Sequence, residues 1–157
     1  MLRSNTVFGI LVRVKCQTQQ NAKQRVQRKV GEMTYKLSIP FRLPGMNEYT
    51  AQNRRSPYEG AKMKKQVQEV IALCIRKQLK GVRITKPVTL TCLWTEPNRK
   101  RDKDNIAAAI KFILDALVKS NVLSNDGWAQ VTGFNHRFAV NKNAVGVVVE
   151  IKEEANE

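Results

Sequence analysis

The strongest constraint on how this chain folds is a helix whose start and stop are both written in the sequence. Ser56, Pro57 and Glu59 form a capping box. The Ser hydroxyl can accept from the third helical amide, Pro costs nothing at the first helical position, and Glu reaches back to the cap. Met63, Val67, Val70, Ile71 and Cys74 then recur at helical spacing, and Gly81 stands where a C-terminal glycine is used. The spacing predicts a helix over about residues 57–80, with an apolar stripe that needs a cover. Its neighbours read as strands. Tyr35, Leu37 and Ile39 alternate with Lys36 and Ser38 until Pro40 and Pro44-Gly45 intervene. Val88, Leu90, Cys92 and Trp94 alternate with Thr89, Thr91 and Leu93 until Pro97-Asn98. Ile106, Ala109, Ile110, Ile113, Leu114 and Leu117 mark a second amphipathic helix, with Asp104 or Asn105 as its cap. Two stretches rich in Val and Phe, 129–140 and 144–151, read as a closing hairpin turning at residues 141–143. The order β-α-β-α-β-β predicts one α+β domain over residues 33–157, a mixed sheet packed with two helices.

At 157 residues one core is expected, not two. Lys and Arg number 28 against 13 acids, a net charge of +15, which favours a polyanionic partner and nucleic acid above others. Cys16, Cys74 and Cys92 are odd in number and widely spaced, which argues against a disulfide framework or a thiolate zinc site. His136 is the only histidine, so zinc sites built on histidine pairs are excluded by count, and the residue reads as part of a strand. No apolar run approaches the roughly 18 residues of a membrane span. A cytoplasmic protein with no membrane partner is expected. No G-x-x-x-x-G-K-[ST] is present, and no small-molecule substrate is expected. Residues 1–32 hold seven Lys or Arg and one acid without a helical or strand period. They read as an appendage, either a basic nucleic-acid arm, disordered alone, or an over-long gene start ahead of Met33.

In so basic a chain, acids held inside a basic loop are the anomaly. Asp102 and Asp104 lie among Arg99, Lys100, Arg101 and Lys103, and Ser124-Asn125-Asp126-Gly127 places a third carboxylate after the second helix. One reading is a charged loop that caps a helix. The other is a hard-cation site, because carboxylate oxygens near strand ends with cations beside them suit Mg²⁺ holding a phosphate. Lys62, Lys64, Lys65, Arg76, Lys77 and Lys80 on the outer face of the first helix read as a solvated face or as phosphate contacts.

Asp102-x-Asp104-Asn105, then Lys111, Asp115-Ala116-Leu117 and Asn125-Asp126, resembles the signature of the RusA family of Holliday junction resolvases. Leu43-Pro44-Gly45-Met46-Asn47-Glu48-Tyr49 is similar to the phosphate-facing portion of phage-type members, and the resemblance spans about residues 34–151. It implies a small α+β homodimer with a RusA-like fold. Such a crossover junction endodeoxyribonuclease binds four-way junction DNA and makes paired symmetric cuts in recombination and repair, using Mg²⁺ with Mn²⁺ as a substitute. The family's metal-binding carboxylates fall on Asp102, Asp104 and Asp126, and its catalytic lysine on Lys111. Several members place that lysine four residues after the second Asp, whereas here it lies seven after Asp104. Three extra residues are close to one helical turn, so Asp104, Lys111 and Asp115 are expected to lie along one face at i, i+7 and i+11. Asp115 is expected to pair with Lys111 and not to bind metal. Lys100, Arg101, Lys103, Lys64 and Lys65 are the expected DNA contacts, while Asn105 is expected to cap the helix and orient Asp104. Trp94 and Trp128 read as core or strand residues, with stacking on an unpaired base the sharper reading for Trp128. Two other readings stand beside this one: a non-catalytic basic nucleic-acid-binding protein, and a nuclease acting on flaps or forks.

Overall fold

A computed structural model describes residues 28–29 and 32–155. The readings of the extension as an arm or an over-long start, and that of Cys16, lie outside the described residues, save for Arg28, Lys29 and Glu32. The elements are β1 (Arg28–Lys29), β2 (Glu32–Ile39), α1 (Met46–Arg55), α2 (Pro57–Gln78), β3 (Val88–Glu96), α3 (Lys103–Ala107), α4 (Ile110–Lys119), β4 (Val131–Val140) and β5 (Gly146–Glu153).

The sheet runs β1-β2-β5-β3-β4, with β3 and β4 parallel and every other pair antiparallel. The α+β class and the mixed sheet are as the sequence predicts. Alternation turns Leu37, Ile39, Leu90, Cys92, Val149 and Ile151 to one face, where they are buried with Ile71 and Cys74 of α2 and Ile113 and Leu117 of α4. Each such Leu or Ile contributes about 1.5–3 kcal/mol. Ser56 Oγ accepts from Glu59 N at 3.1 Å, so α2 begins at the capping box, and Gly81 has the left-handed φ of 73° just past its end. Cys74 and Cys92 are free, and burial pushes their thiols up to about 11 and about 12. They pack as small apolar side chains.

Three expectations are corrected. β4 and β5 are not a hairpin, because β3 lies between them and bonds to both. The α3–α4 crossover after β3 delivers β4 parallel to β3, leaving β5 to pair on the other side. The second helix starts earlier than expected and is divided. Ile106 N donates to Asp102 O, which makes Asp102 the N-cap, and the turn tightens to Ala109 N→Ile106 O, Lys111 N→Ala108 O and Phe112 N→Ala109 O bonds. Each residue of that three-per-turn stretch rotates the chain by about 20° more than α geometry does. Lys111 is thereby taken off the straight line above Asp104. Finally, the segment between Pro44-Gly45 and Ser56, to which the sequence assigns no element, is α1. It buries none of its residues fully, and Tyr49 is its one hydrophobic side chain packed against the core.

Candidate metal and nucleic-acid site

The loop after β3 is fastened at both ends. Glu96, the buried last residue of β3, receives two bonds from the Arg101 guanidinium, Nε to Oε2 at 3.0 Å and a second from an Nη to Oε1. The same guanidinium donates to Leu43 O at 3.1 Å, tying this loop to the one before α1. Asn105 does not cap its own helix. Its Oδ1 accepts from Asn47 N at 2.9 Å, satisfying a first-turn amide of α1 that has no partner inside the helix. Gly45 is required for that approach, since a Cβ there would run into the Asn105 amide.

Between these fastenings Asp102 and Asp104 are exposed, and among the described residues neither carboxylate has a hydrogen-bond or ion-pair partner. Arg101, the nearest cation in sequence, is committed to Glu96 with only 12% of its side chain exposed, so it is a clamp and not an outward-facing phosphate contact. Lys100 and Lys103 are exposed, and the Lys103 ammonium lies 5.6 Å from the centroid of the Phe138 ring on β4.

A second group of charges forms where α2 meets α4. Lys111 Nζ lies 3.0 Å from Asp115 Oδ1 and 3.2 Å from Asp126 Oδ2, so its ammonium joins the helix to the loop before β4. Lys64 Nζ lies 2.9 Å from Asp115 Oδ2, which also accepts from Gln68 Nε2 at 3.0 Å. Partial burial works against ionisation of Asp115, but the hydrogen bonds from Lys64 and Lys111 outweigh it and hold the carboxyl below the usual range. The hydrogen bonds that Lys111 donates to Asp115 and Asp126 push its own pKa up. The expected Lys111–Asp115 pair is present. Lys64 enters the same group, a role unreadable from sequence because it depends on α2 crossing α4. Lys65, next along α2, is exposed to solvent.

Lys64 and Lys111 also line a cleft of about 180 Å³ with Gly45, Met46, Tyr49, Ala108 and Phe112. Tyr49 and Phe112 meet edge to face there, with ring centroids 5.6 Å apart. A wider depression of about 290 Å³ runs beside it over Gln68, Asp115, Val118, Lys119 and Asp126. The site is thus an apolar cleft with two ammonium groups at its edge. Trp94 is buried in β3 and Nε1 donates to Nδ1 of His136 at 3.0 Å, whereas Trp128 is fully exposed and no part of the core.

Asp102, Asp104 and Asp126 offer only hard oxygen donors, the chemistry that suits Mg²⁺, and the first two are uncommitted. Asp126 is held by Lys111, and among the described residues no three His, Cys, Asp or Glu side chains are gathered as a ligand group. Among the described residues no helix is long and apolar enough to cross a membrane. No protein-family model and no curated protein matches the chain.

Proposed function

We propose that this chain is a Mg²⁺-dependent, structure-selective endodeoxyribonuclease of the RusA kind. In this reading it acts in the cytoplasm as a homodimer that resolves four-way DNA junctions by paired phosphodiester hydrolysis. The observation that carries the reading is the pair of exposed, partnerless carboxylates at the start of α3, in a chain of net charge +15 where seven of the twelve acids among the described residues are tied to cations. An acid left free among Arg99, Lys100 and Lys103 is available to a cation from solution. Mg²⁺, or Mn²⁺ in its place, would be held by Asp102, Asp104 and Asp126 and would supply charge neutralisation at the scissile phosphate and an activated water. The protein's own part is electrostatic. Lys100 and Lys103 draw the DNA backbone toward acids that would otherwise repel it, and Lys64 and Lys65 continue the cationic track along α2. Lys111 holds Asp126 in place and stands ready to stabilise charge that builds on the phosphate. Twofold association matches the symmetry of the junction, as paired nicks require.

The test is Asp104→Asn. Asp104 is not the N-cap, so the exchange keeps size and fold and removes the charge a cation ligand must supply. Cleavage of a synthetic four-way junction in Mg²⁺ is expected to fall by orders of magnitude while junction binding holds or tightens. Nicking at the parental rate would refute the assignment. Binding in EDTA with no nicking by the parent in Mg²⁺ or Mn²⁺ would leave a non-catalytic DNA binder. Faster cutting of flaps or forks than of junctions would leave the chemistry and change the substrate.

A further inference from the structure

The sheet has two edges, and the fold treats them differently. At the β2 edge, β1 pairs with residues 32–33, and farther along the Gln78 carboxamide takes both backbone groups of Ser38. Gln78 Oε1 accepts from Ser38 N and Nε2 donates to Ser38 O, each at 2.7 Å. At the opposite edge, β4 bonds to β3 along one side, and among the described residues nothing pairs with its outer side. A solvated edge of this length is normally guarded by lysines, proline or brevity. β4 has ten residues, VTGFNHRFAV, and Arg137 is its one charged side chain, in a chain with 28 Lys and Arg. Phe134 is 45% and Val140 50% exposed on the face that carries Trp94 and His136.

We infer that the outer side of β4 is an interface with β4 of a second copy of this chain, the two strands antiparallel about a twofold axis. Charge selects the occupant. Two chains of net charge +15 repel one another over most of their surfaces, and this strip is where that repulsion is weakest. Among the described residues, Arg137 and Lys103, whose ammonium lies 5.6 Å from the centroid of the Phe138 ring, are the cations at this strip, fewer than α2 or the loop after β3 offers to nucleic acid. An axis perpendicular to the sheet keeps the helix-bearing faces together, so residues of like parity meet. Centred on His136, it sets Phe134 of one copy against Phe138 of the other, and Arg137 against Asn135. Centring on Arg137 would oppose two guanidinium groups. Pairing residues 132–140 forms about eight to ten backbone hydrogen bonds, because alternate residues of an antiparallel edge each exchange two with their opposite number. The inference deepens the twofold reading proposed above but does not depend on nuclease chemistry, so a mass measurement and a cleavage assay fail separately.

Sedimentation equilibrium of the full chain is expected to give twice 17.9 kDa at micromolar concentration. Phe134→Lys/Val140→Lys places four cations across the interface at positions already exposed, and should give the single-chain mass with an unchanged circular dichroism spectrum. A parent that sediments as one chain throughout, or a double variant that keeps twice the mass, would overturn the inference. Amide exchange of the parent supplies a second reading should the variant not fold. Protection of β4 is expected to fall on dilution while that of β5 does not. Protection of the outer β4 amides that ignores concentration would mean the chain's own extension covers the edge, and would also overturn it.

Discussion

Arg101→Met tests whether the cation nearest Asp102 serves the DNA or the fold. The guanidinium and the Glu96 carboxylate are 12% and 11% exposed, so both are largely out of water, and the guanidinium also holds Leu43 O at 3.1 Å. Methionine keeps most of the stem but leaves Glu96 as a carboxylate without its partner. Removing one member of a buried pair costs about 3–5 kcal/mol, because the stranded charge has been desolvated for nothing. Whole domains are stable by only about 5–15 kcal/mol, so a large share of the total is at stake. At roughly 3–5 °C per kcal/mol for a domain of this size, the melting temperature should drop by on the order of 10–25 °C. Urea unfolding followed by circular dichroism measures the loss. Glu96→Leu/Arg101→Met removes both charges and should recover much of it, since a buried pair replaced by apolar side chains is often close to neutral. Two results would refute the reasoning: a single variant within about 1 kcal/mol of the parent, which would mark an exposed pair, or losses in the double variant that simply add. Well below its melting point Arg101→Met should bind junction DNA with the parent's salt dependence. A salt slope shallower by about one would return Arg101 to the phosphate-contacting set.

Asn105→Ala removes the acceptor for Asn47 N and should cost about 0.5–2 kcal/mol, with amide exchange quickening in the first turn of α1 and not in α4. Were Asn105 a cap for its own helix instead, the change would appear in α3. His136 gives a pH signature. Burial depresses its pKa below the usual 6.5, and Nδ1 already accepts from Trp94. The unfolded chain therefore takes up the proton first, and stability should be constant above pH 6.5 and decline as pH falls through that value toward the folded pKa. The depressed carboxyl of Asp115 has its own window, with stability lost only as pH falls below 3.8. Unfolding free energies of the parent and His136→Gln between neutral and mildly acid pH decide the point. An unchanged slope in the variant would exclude His136 as its source.

What could be read from the sequence was local or periodic. α2 is legible because its cap, stripe and terminal glycine are all within one segment, and β2 and β3 because alternation assigns each residue a face. Alternation says nothing of which strand lies alongside, so β4 and β5, adjacent in sequence, read as a hairpin although β3 separates them. α1 escaped because it buries none of its residues fully and packs only Tyr49 against the core, and what fixes its start, the Asn105 amide, comes from 58 residues away. The site divides along the same line. The Lys111–Asp115 pair is an i,i+4 contact and could be foreseen, whereas the Lys64 contact with the same carboxylate needs the crossing of α2 and α4.

Charge runs mislead for a related reason. Sequence displays Arg99, Lys100, Arg101 and Lys103 as one basic patch, yet burial separates them. Arg101 turns inward to Glu96, a residue that the pattern of β3 places on the core face, while Lys100 and Lys103 remain in solvent. An acid at a core position of a strand end is therefore a cue that one nearby cation will be withdrawn from the surface. That withdrawal gives the loop its shape. With Arg101 and Asn105 both bonded to the segment before and within α1, the intervening Asp102 and Asp104 are carried on a backbone fixed at two points while their carboxylates stay free. On the proposed reading, a rigid backbone beneath uncommitted oxygens would lower the ordering cost of binding a cation, and the inward turn of Arg101 would serve the site through the fold instead of through the phosphate.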